Sequence, residues 1–289
     1  MKWSKRKELL KTTVIEFFKE QTLMHGAALA YYAMLALVPI LYLSVTYIGR
    51  IVGEEAVIDM IGTMLRENIG LADTSGILNF LEEVNFLQGS NLMQTFGIIA
   101  LMFSCTVIFN SLKRSINSFY GVVAKKEPAA KLILHNLLSR VISLGFIIGL
   151  TLLFILVYFA EPLFLSLGHK LFSGEGLLSL IFSIVAEHGV PILTNLVIFS
   201  FIFKYLHDGK VVWRNAIRGG LVTSVLLYIG QLIIKFYLMH FFFAADGGVA
   251  GAMLIILVWV YYSSQIIFFG AKYISVLSQM RGQPINKCD

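Results

Sequence analysis

The stretch Gly251-Ala252-Met253-Leu254-Ile255-Ile256-Leu257-Val258-Trp259-Val260-Tyr261-Tyr262-Ser263-Ser264-Gln265-Ile266-Ile267-Phe268-Phe269-Gly270-Ala271 runs without one charged side chain. An apolar run of this length is what a helix needs to cross a hydrocarbon core ~30 Å thick. Five similar runs precede it, so that the full set occupies about 27–49, 92–112, 141–168, 177–206, 216–243 and 250–277. In lipid each segment must satisfy its own backbone hydrogen bonds, so these read as spanning helices rather than strands or loops. The expected fold class is all-α: a polytopic membrane protein with six transmembrane helices and short amphipathic interfacial helices, organised as a single membrane domain over 1–289. Composition agrees. The chain is 57% hydrophobic and 14% charged, with a mean hydropathy of +0.80, far from the soluble balance.

The basic residues give an orientation. The leader carries Lys2, Lys5, Arg6, Lys7, Lys11 and Lys19, and the 113–140 loop carries Lys113, Arg114, Lys125, Lys126, Lys131 and Arg140. Lys204, Lys210, Arg214 and Arg218 follow in the next loop on that side, and Lys272, Arg281 and Lys287 at the tail. Opposite them stand only Arg50, Arg66 and Lys170. The positive-inside rule makes the basic side cytoplasmic, with both termini there. The outer loop 50–91 is acidic instead, with Glu54, Glu55, Asp59, Glu67, Asp73, Glu82 and Glu83. The net charge of +6 thus follows topology and anionic headgroups and does not point to nucleic acid. The basic leader is too long, and the first apolar run too complete, for a cleavable signal peptide. Cys105 falls in a span and Cys288 in the tail, so no disulfide is expected and neither has metal-ligand spacing.

The segments between spans are amphipathic. In the leader, 3–20, Trp3, Leu10, Val14 and Phe17 recur at helical spacing between lysines, which suits a helix at the inner interface. In the outer loop, Val57, Ile61, Met64 and Leu65 mark one helix; Ile77, Leu81, Val84 and Phe86 mark a second, with Asp73, Thr74 and Ser75 offering cap chemistry. Their apolar faces suit either the membrane surface or the mouth of a cavity. Pro128 divides the 113–140 loop into two further amphipathic pieces, and no internal repeat is evident.

Three stretches resemble a known family. Gly26-Ala27-Ala28-Leu29-Ala30-Tyr31-Tyr32-Ala33-Met34-Leu35-Ala36-Leu37-Val38-Pro39 looks like the first-helix signature of the YihY/BrkB family of bacterial inner-membrane proteins. Thr95 to Tyr120, with Asn110 and Asn117, is similar to its second helix, and Val249 to Ala271 resembles its closing signature. The resemblance implies six helices and cytoplasmic termini but little chemistry, transport or envelope maintenance being proposed for some members of the family. The chain departs from the family pattern at Lys272, where many members carry glutamate, at Ala245-Asp246-Gly247-Gly248, and at Tyr205-Leu206-His207-Asp208, where Tyr-x-x-Pro is frequent. An older label for the family, ribonuclease, finds no support in the residues. A metal-dependent nuclease needs clustered ligands, whereas His25, His135, His169, His188, His207 and His240 are scattered, and no phosphate-binding loop or nucleophile elbow occurs.

The candidate site is the set of ionisable groups inside spans. Glu187 and His188 lie near the middle of the fourth span, followed by Pro191 and Asn195. Glu161, beside Pro162, lies in the outer part of the third, and Lys235 deep in the fifth. A charge there costs at least ~2.5–3.5 kcal/mol on insertion scales, so it must pair, neutralise or meet water. The sequence therefore predicts a polar patch: Glu187, His188 and Lys235 lining a cavity, with Glu161 at its rim. A register-fixing ion pair between Glu161 and Lys235 is the blander alternative. Pro191 frees a carbonyl one turn back, around Glu187, where a carboxyl and an imidazole could exchange protons. Tyr31 and Tyr32 are candidate cavity residues, with core packing as the alternative, and Pro39 is expected to kink the first span. Gly145 and Gly149 suit internal packing and self-association equally. The functional expectation is a transporter of a lipid-like amphiphile or small solute, without cofactor or metal, whose partners are membrane lipids and that substrate. A structural or envelope-assembly factor is the alternative, and no catalytic constellation supports an enzyme.

Overall fold

The computed structural model describes residues 3–19, 21–66, 74–83, 91–122, 185–241 and 248–285, with isolated positions between 145 and 182. Most of the expected span 141–168 and the first part of 177–206 lie outside these residues, as do Glu161, Pro162, Pro128, Asp73, Val84, Phe86 and Cys288. Every regular element among the described residues is helical. In chain order these are α1 (Trp3–Lys19), α2 (Thr22–Leu43), a π-helical turn (Ser44–Ile48), α3 (Gly49–Val52), α4 (Glu54–Met64), α5 (Ser75–Glu83), α6 (Asn91–Phe119), a second π-turn (Val185–Gly189), α7 (Val190–Tyr205), α8 (Trp213–Phe241) and α9 (Gly248–Met280).

Among the described residues, four helices are long and apolar enough to cross a membrane, at Thr22–Val52, Gln94–Phe119, Trp213–Tyr237 and Met253–Met280, and α7 is a shorter apolar helix. They correspond to four of the six expected runs, with α7 within a fifth. Their surfaces suit lipid rather than water: on α6, Phe96, Ile99 and Phe103 recur along one face and are all exposed. The first span is continuous through Pro39, but its hydrogen-bond ladder changes register just beyond, at Ser44–Ile48. Pro39 has no N–H to give the Leu35 carbonyl, so the ladder is already weakened there.

The chain forms two compact units. The first comprises Met1–Glu20, Lys113–Tyr228 and Ile266–Asp289, the second Gln21–Leu112 and Ile229–Gln265. Helices α6, α8 and α9 each supply residues to both.

The second unit buries Val45, Val57, Ile58, Ile77, Ile255 and Ile256 together. The apolar faces of α4 and α5 are thus spent on the π-turn and on α9. Ile58 belongs to the buried face, whereas Met64, expected there, is exposed. Gly62 lets Leu78 of α5 lie against α4 with no side chain between. Arg66 bridges the two helices, donating from Nη1 to the Thr74 hydroxyl at 3.2 Å; the backbone N–H groups of Ile77 and Leu78 bond the Thr74 carbonyl, so Thr74 opens α5. At the other end of α2, a Cβ on Gly26 would collide with Gln265, whose amide reaches the Thr22 carbonyl at 3.4 Å. This glycine sits in the first family-like stretch because α2 and α9 approach closely there.

In the first unit, Phe119, Phe203, Phe268, Ile116, Leu206 and Ile274 are almost wholly buried. Gly220 packs against the Leu196 carbonyl and Ser200, Gly219 against Ile274, and Gly270 against Thr223. These three glycines, rather than the exposed Gly145 and Gly149, make the close approaches of α7, α8 and α9. Helix α1 divides the expected stripe between a packed and an exposed face. Leu9, Thr13 and Phe17 are buried, Leu9 against Val276 and Leu277 and Phe17 against Phe269 with ring centroids 5.6 Å apart. Leu10, Val14 and Phe18 are exposed on the other side. Periodicity locates an apolar face but cannot tell a face packed on α9 from one left for lipid, and α1 has both.

Candidate functional site

Pro191 occupies the first turn of α7, directly after the π-turn Val185-Ala186-Glu187-His188-Gly189. Proline cannot donate to the carbonyl four residues back, that of Glu187, and a single widened turn absorbs the lost bond. Such turns recur at functional positions because they re-aim side chains. Here His188 is turned so that its Nδ1 lies 2.5 Å from the Tyr228 hydroxyl of α8, the rings meeting edge to face with centroids 6.0 Å apart. Apart from this bond His188 is exposed. A neutral imidazole carrying its proton on Nε2 accepts the tyrosine O–H at Nδ1; a doubly protonated ring donates from Nδ1 to the phenol oxygen instead. The pair can therefore reverse its hydrogen bond when a proton arrives.

Of the other expected site residues, Glu187 has its backbone in the π-turn. Asn195 is half-buried on α7, two turns beyond His188, and Lys235 is exposed on α8. Tyr31 is exposed and Tyr32 half-buried on α2, their rings edge to face at 5.8 Å. Among the described residues, His188 is the only one of these candidates that bonds a side chain of another helix. Its partner, Tyr228, escaped the sequence reading because nothing distinguishes it among twelve tyrosines. No group of three or more metal-ligating side chains occurs among the described residues.

The departure at Tyr205-Leu206-His207-Asp208 proves to be a second polar centre. Asp208 accepts from Lys113 at 2.8 Å and from the Asn117 amide at 2.8 Å, while its own N–H donates to Asn117 Oδ1 at 3.0 Å. The neighbouring His207 donates from Nε2 to the Phe203 carbonyl at 2.7 Å and accepts the Gly209 N–H at Nδ1, 3.0 Å away. Tyr120 packs edge-on against it at 4.8 Å. Burial, with help from the nearby Lys204 charge, holds the imidazole below its usual pKa against the opposing pull of the Phe203 carbonyl and Asp208. Both ring nitrogens are occupied by the neutral tautomer. Lys204 in turn donates to the Val211 carbonyl at 2.6 Å. Asn117, in the second family-like stretch, is therefore a tie between the end of α6 and the end of α7.

The other departure, Lys272, is 4% exposed and pairs with Glu16 of α1 at 3.0 Å. A carboxylate on α1 thus neutralises the cation that α9 carries in place of an acid.

Long apolar helices and polar groups joined within them define a helical integral membrane protein. The sequence profile of the family described as Virulence factor BrkB matches residues 14–287, and the chain belongs to that family. Among similar proteins, a UPF0761 membrane protein of Alkalilimnicola ehrlichii is 24% identical over 91% of this chain and 56% of its own length. This chain thus spans little more than half of that relative. A UPF0761 membrane protein of Haemophilus influenzae is 23% identical over 92% of this chain and 94% of its own. A Bacillus subtilis protein named ribonuclease-like protein YfkH is 23% identical over 93% and 96%. No solved structure matches the chain.

Proposed function

We propose that this protein is a multi-pass transporter of the bacterial cytoplasmic membrane that moves a lipid-like amphiphile, with six spans and both termini inside. The observation that carries the reading is the His188–Tyr228 bond at a π-turn within an apolar segment. A protonatable pair on a broken helix is expensive to keep among apolar residues and is the kind of element a transport cycle uses. Protonation of His188 reverses the bond to Tyr228 and loosens α7 from α8 at the turn already weakened by Pro191. Membrane lipids are the partners, with the amphiphile as substrate; neither nucleic acid, metal nor cofactor has a part, and the protein is not an enzyme. The alternative of a structural envelope factor draws on the tight glycine-mediated packing of α7, α8 and α9.

The test is reconstitution of the full chain in vesicles carrying a fluorescent phosphatidylglycerol on both leaflets, with an impermeant reductant added outside. Protein-containing vesicles are expected to lose the inner-leaflet signal faster than empty ones. Tyr228→Phe should slow this about tenfold, the effect of removing one hydrogen bond of roughly 1.4 kcal/mol. A wild-type rate equal to that of empty vesicles sinks the transport reading and favours the structural one. For orientation, an external thiol reagent should label Ser75→Cys and spare Ala124→Cys in intact cells; the reverse pattern overturns it. Purified protein with divalent metal should leave structured RNA intact, and cleavage abolished by His188→Ala would contradict that.

A further inference from the structure

Helix α1, the start of α8 and the end of α9 enclose a cavity of about 410 Å³, within the ~300–1,000 Å³ of small-molecule sites. Arg6, Arg218 and Arg281 line it together with Tyr273 and aliphatic side chains such as Leu9 and Leu221, and among the described residues no carboxylate does. Arg6 and Arg218 have no ion pair among the described residues, and both lie near enough to act electrostatically on the Tyr273 hydroxyl. Arg281 is held in place: its Nη1 donates to Asn215 Oδ1 at 2.8 Å, and the buried Asn215 donates to the Ser278 hydroxyl at 3.0 Å. Of the two acids on α1, Glu16 is taken by Lys272, and Glu8 is exposed and not among the cavity's lining residues. Three guanidinium groups facing one cavity repel one another unless an anion sits between them.

We infer that Arg6, Arg218 and Arg281 form a binding site for the phosphate group of an anionic amphiphile, with the aliphatic wall beside them taking its apolar part. Guanidinium forks match phosphate oxygens in pairs, and the Tyr273 hydroxyl is a further donor. Leu10 and Leu221 line the cavity yet are about half exposed, at 50% and 47%, so a hydrocarbon chain has apolar surface to follow out of the pocket. Leu9 anchors the α1 wall on Val276 and Leu277; the site is thus preformed rather than assembled by the ligand. It stands on the side where the basic residues gather, as recognition of anionic lipid requires, and it does not depend on the transport reading.

The test uses the detergent-solubilised full chain and reads thermal midpoint and binding separately with phosphatidylglycerol, phosphatidylcholine and inorganic phosphate. Phosphatidylglycerol should bind and raise the midpoint, with phosphatidylcholine at least about tenfold weaker. Arg218→Gln and Arg6→Gln should each weaken phosphatidylglycerol about tenfold without lowering the lipid-free midpoint, and Arg218→Lys should fall between. Displacement by millimolar phosphate keeps the anion site and assigns its ligand to a soluble phosphate; resistance to it assigns the ligand to a lipid headgroup. Equal binding of both lipids, or full phosphatidylglycerol binding by a folded Arg6→Gln, Arg218→Gln double variant, overturns the site. Because binding rather than translocation is read, loss of transport alone would leave this result standing.

Discussion

A histidine flanks each end of α7, and the two are held in opposite ways. His207, just beyond its last turn, has both ring nitrogens occupied by backbone groups and its face covered by Tyr120. His188, just before its first turn, has one nitrogen on Tyr228 and is otherwise exposed. Saturation makes the first a fastener: its hydrogen bonds and burial leave no free position for a ligand or an incoming proton. The open nitrogen makes the second available. Within one helix, the number of satisfied hydrogen-bonding positions separates a structural imidazole from a candidate working one.

The largest effect on stability should come from the saturated end. His207→Ala leaves the Phe203 carbonyl and the Gly209 N–H unpartnered and empties buried volume, and should cost about 2–4 kcal/mol in thermal unfolding. His188→Ala removes one hydrogen bond and little buried volume, and should cost less than about 1 kcal/mol. Equal costs would erase the distinction between them. Acidification sharpens it further. The fold holds His207 neutral with a lowered pKa, so the unfolded chain takes up the extra proton. Stability should be full above the unfolded imidazole's ~6.5 and decline as pH falls below it. That decline should shrink in His207→Gln, and an unaltered pH dependence in that variant would remove His207 as its source. A salt-dependent effect is expected of Asp208→Asn, which keeps the Asn117 contact but loses the half-exposed Lys113 pair. About 1 kcal/mol should be lost at low salt and less at high salt.

The same contrast explains what was legible in the sequence. Length and hydropathy announce α2, α6, α8 and α9 because a spanning helix writes its requirement into every residue it contains. Pro191 marks a break in the ladder around Glu187, since the lost N–H is a local fact, and the π-turn lies at that place. Partners are not local. Tyr228 could not be matched to His188, nor Glu16 to Lys272, because the bonds depend on how helices rotate against one another. For the same reason the stripe of Leu10 and Val14 marks an apolar face for the interface, while nothing in the sequence says that Leu9 and Thr13 beside it are the buried residues. The arginine cavity was illegible altogether: Arg6, Arg218 and Arg281 appear in sequence as three members of ordinary basic flanks and become one feature only when α1, α8 and α9 come together.

The claim that His188 and Tyr228 work as a reversible pair is tested most directly by the rate of phosphatidylglycerol translocation in reconstituted vesicles, followed as the pH is varied. The account predicts a rate that changes with pH in the wild-type protein and a slower, flattened profile in Tyr228→Phe, with both proteins equally folded. Superimposable profiles for the two proteins would contradict it.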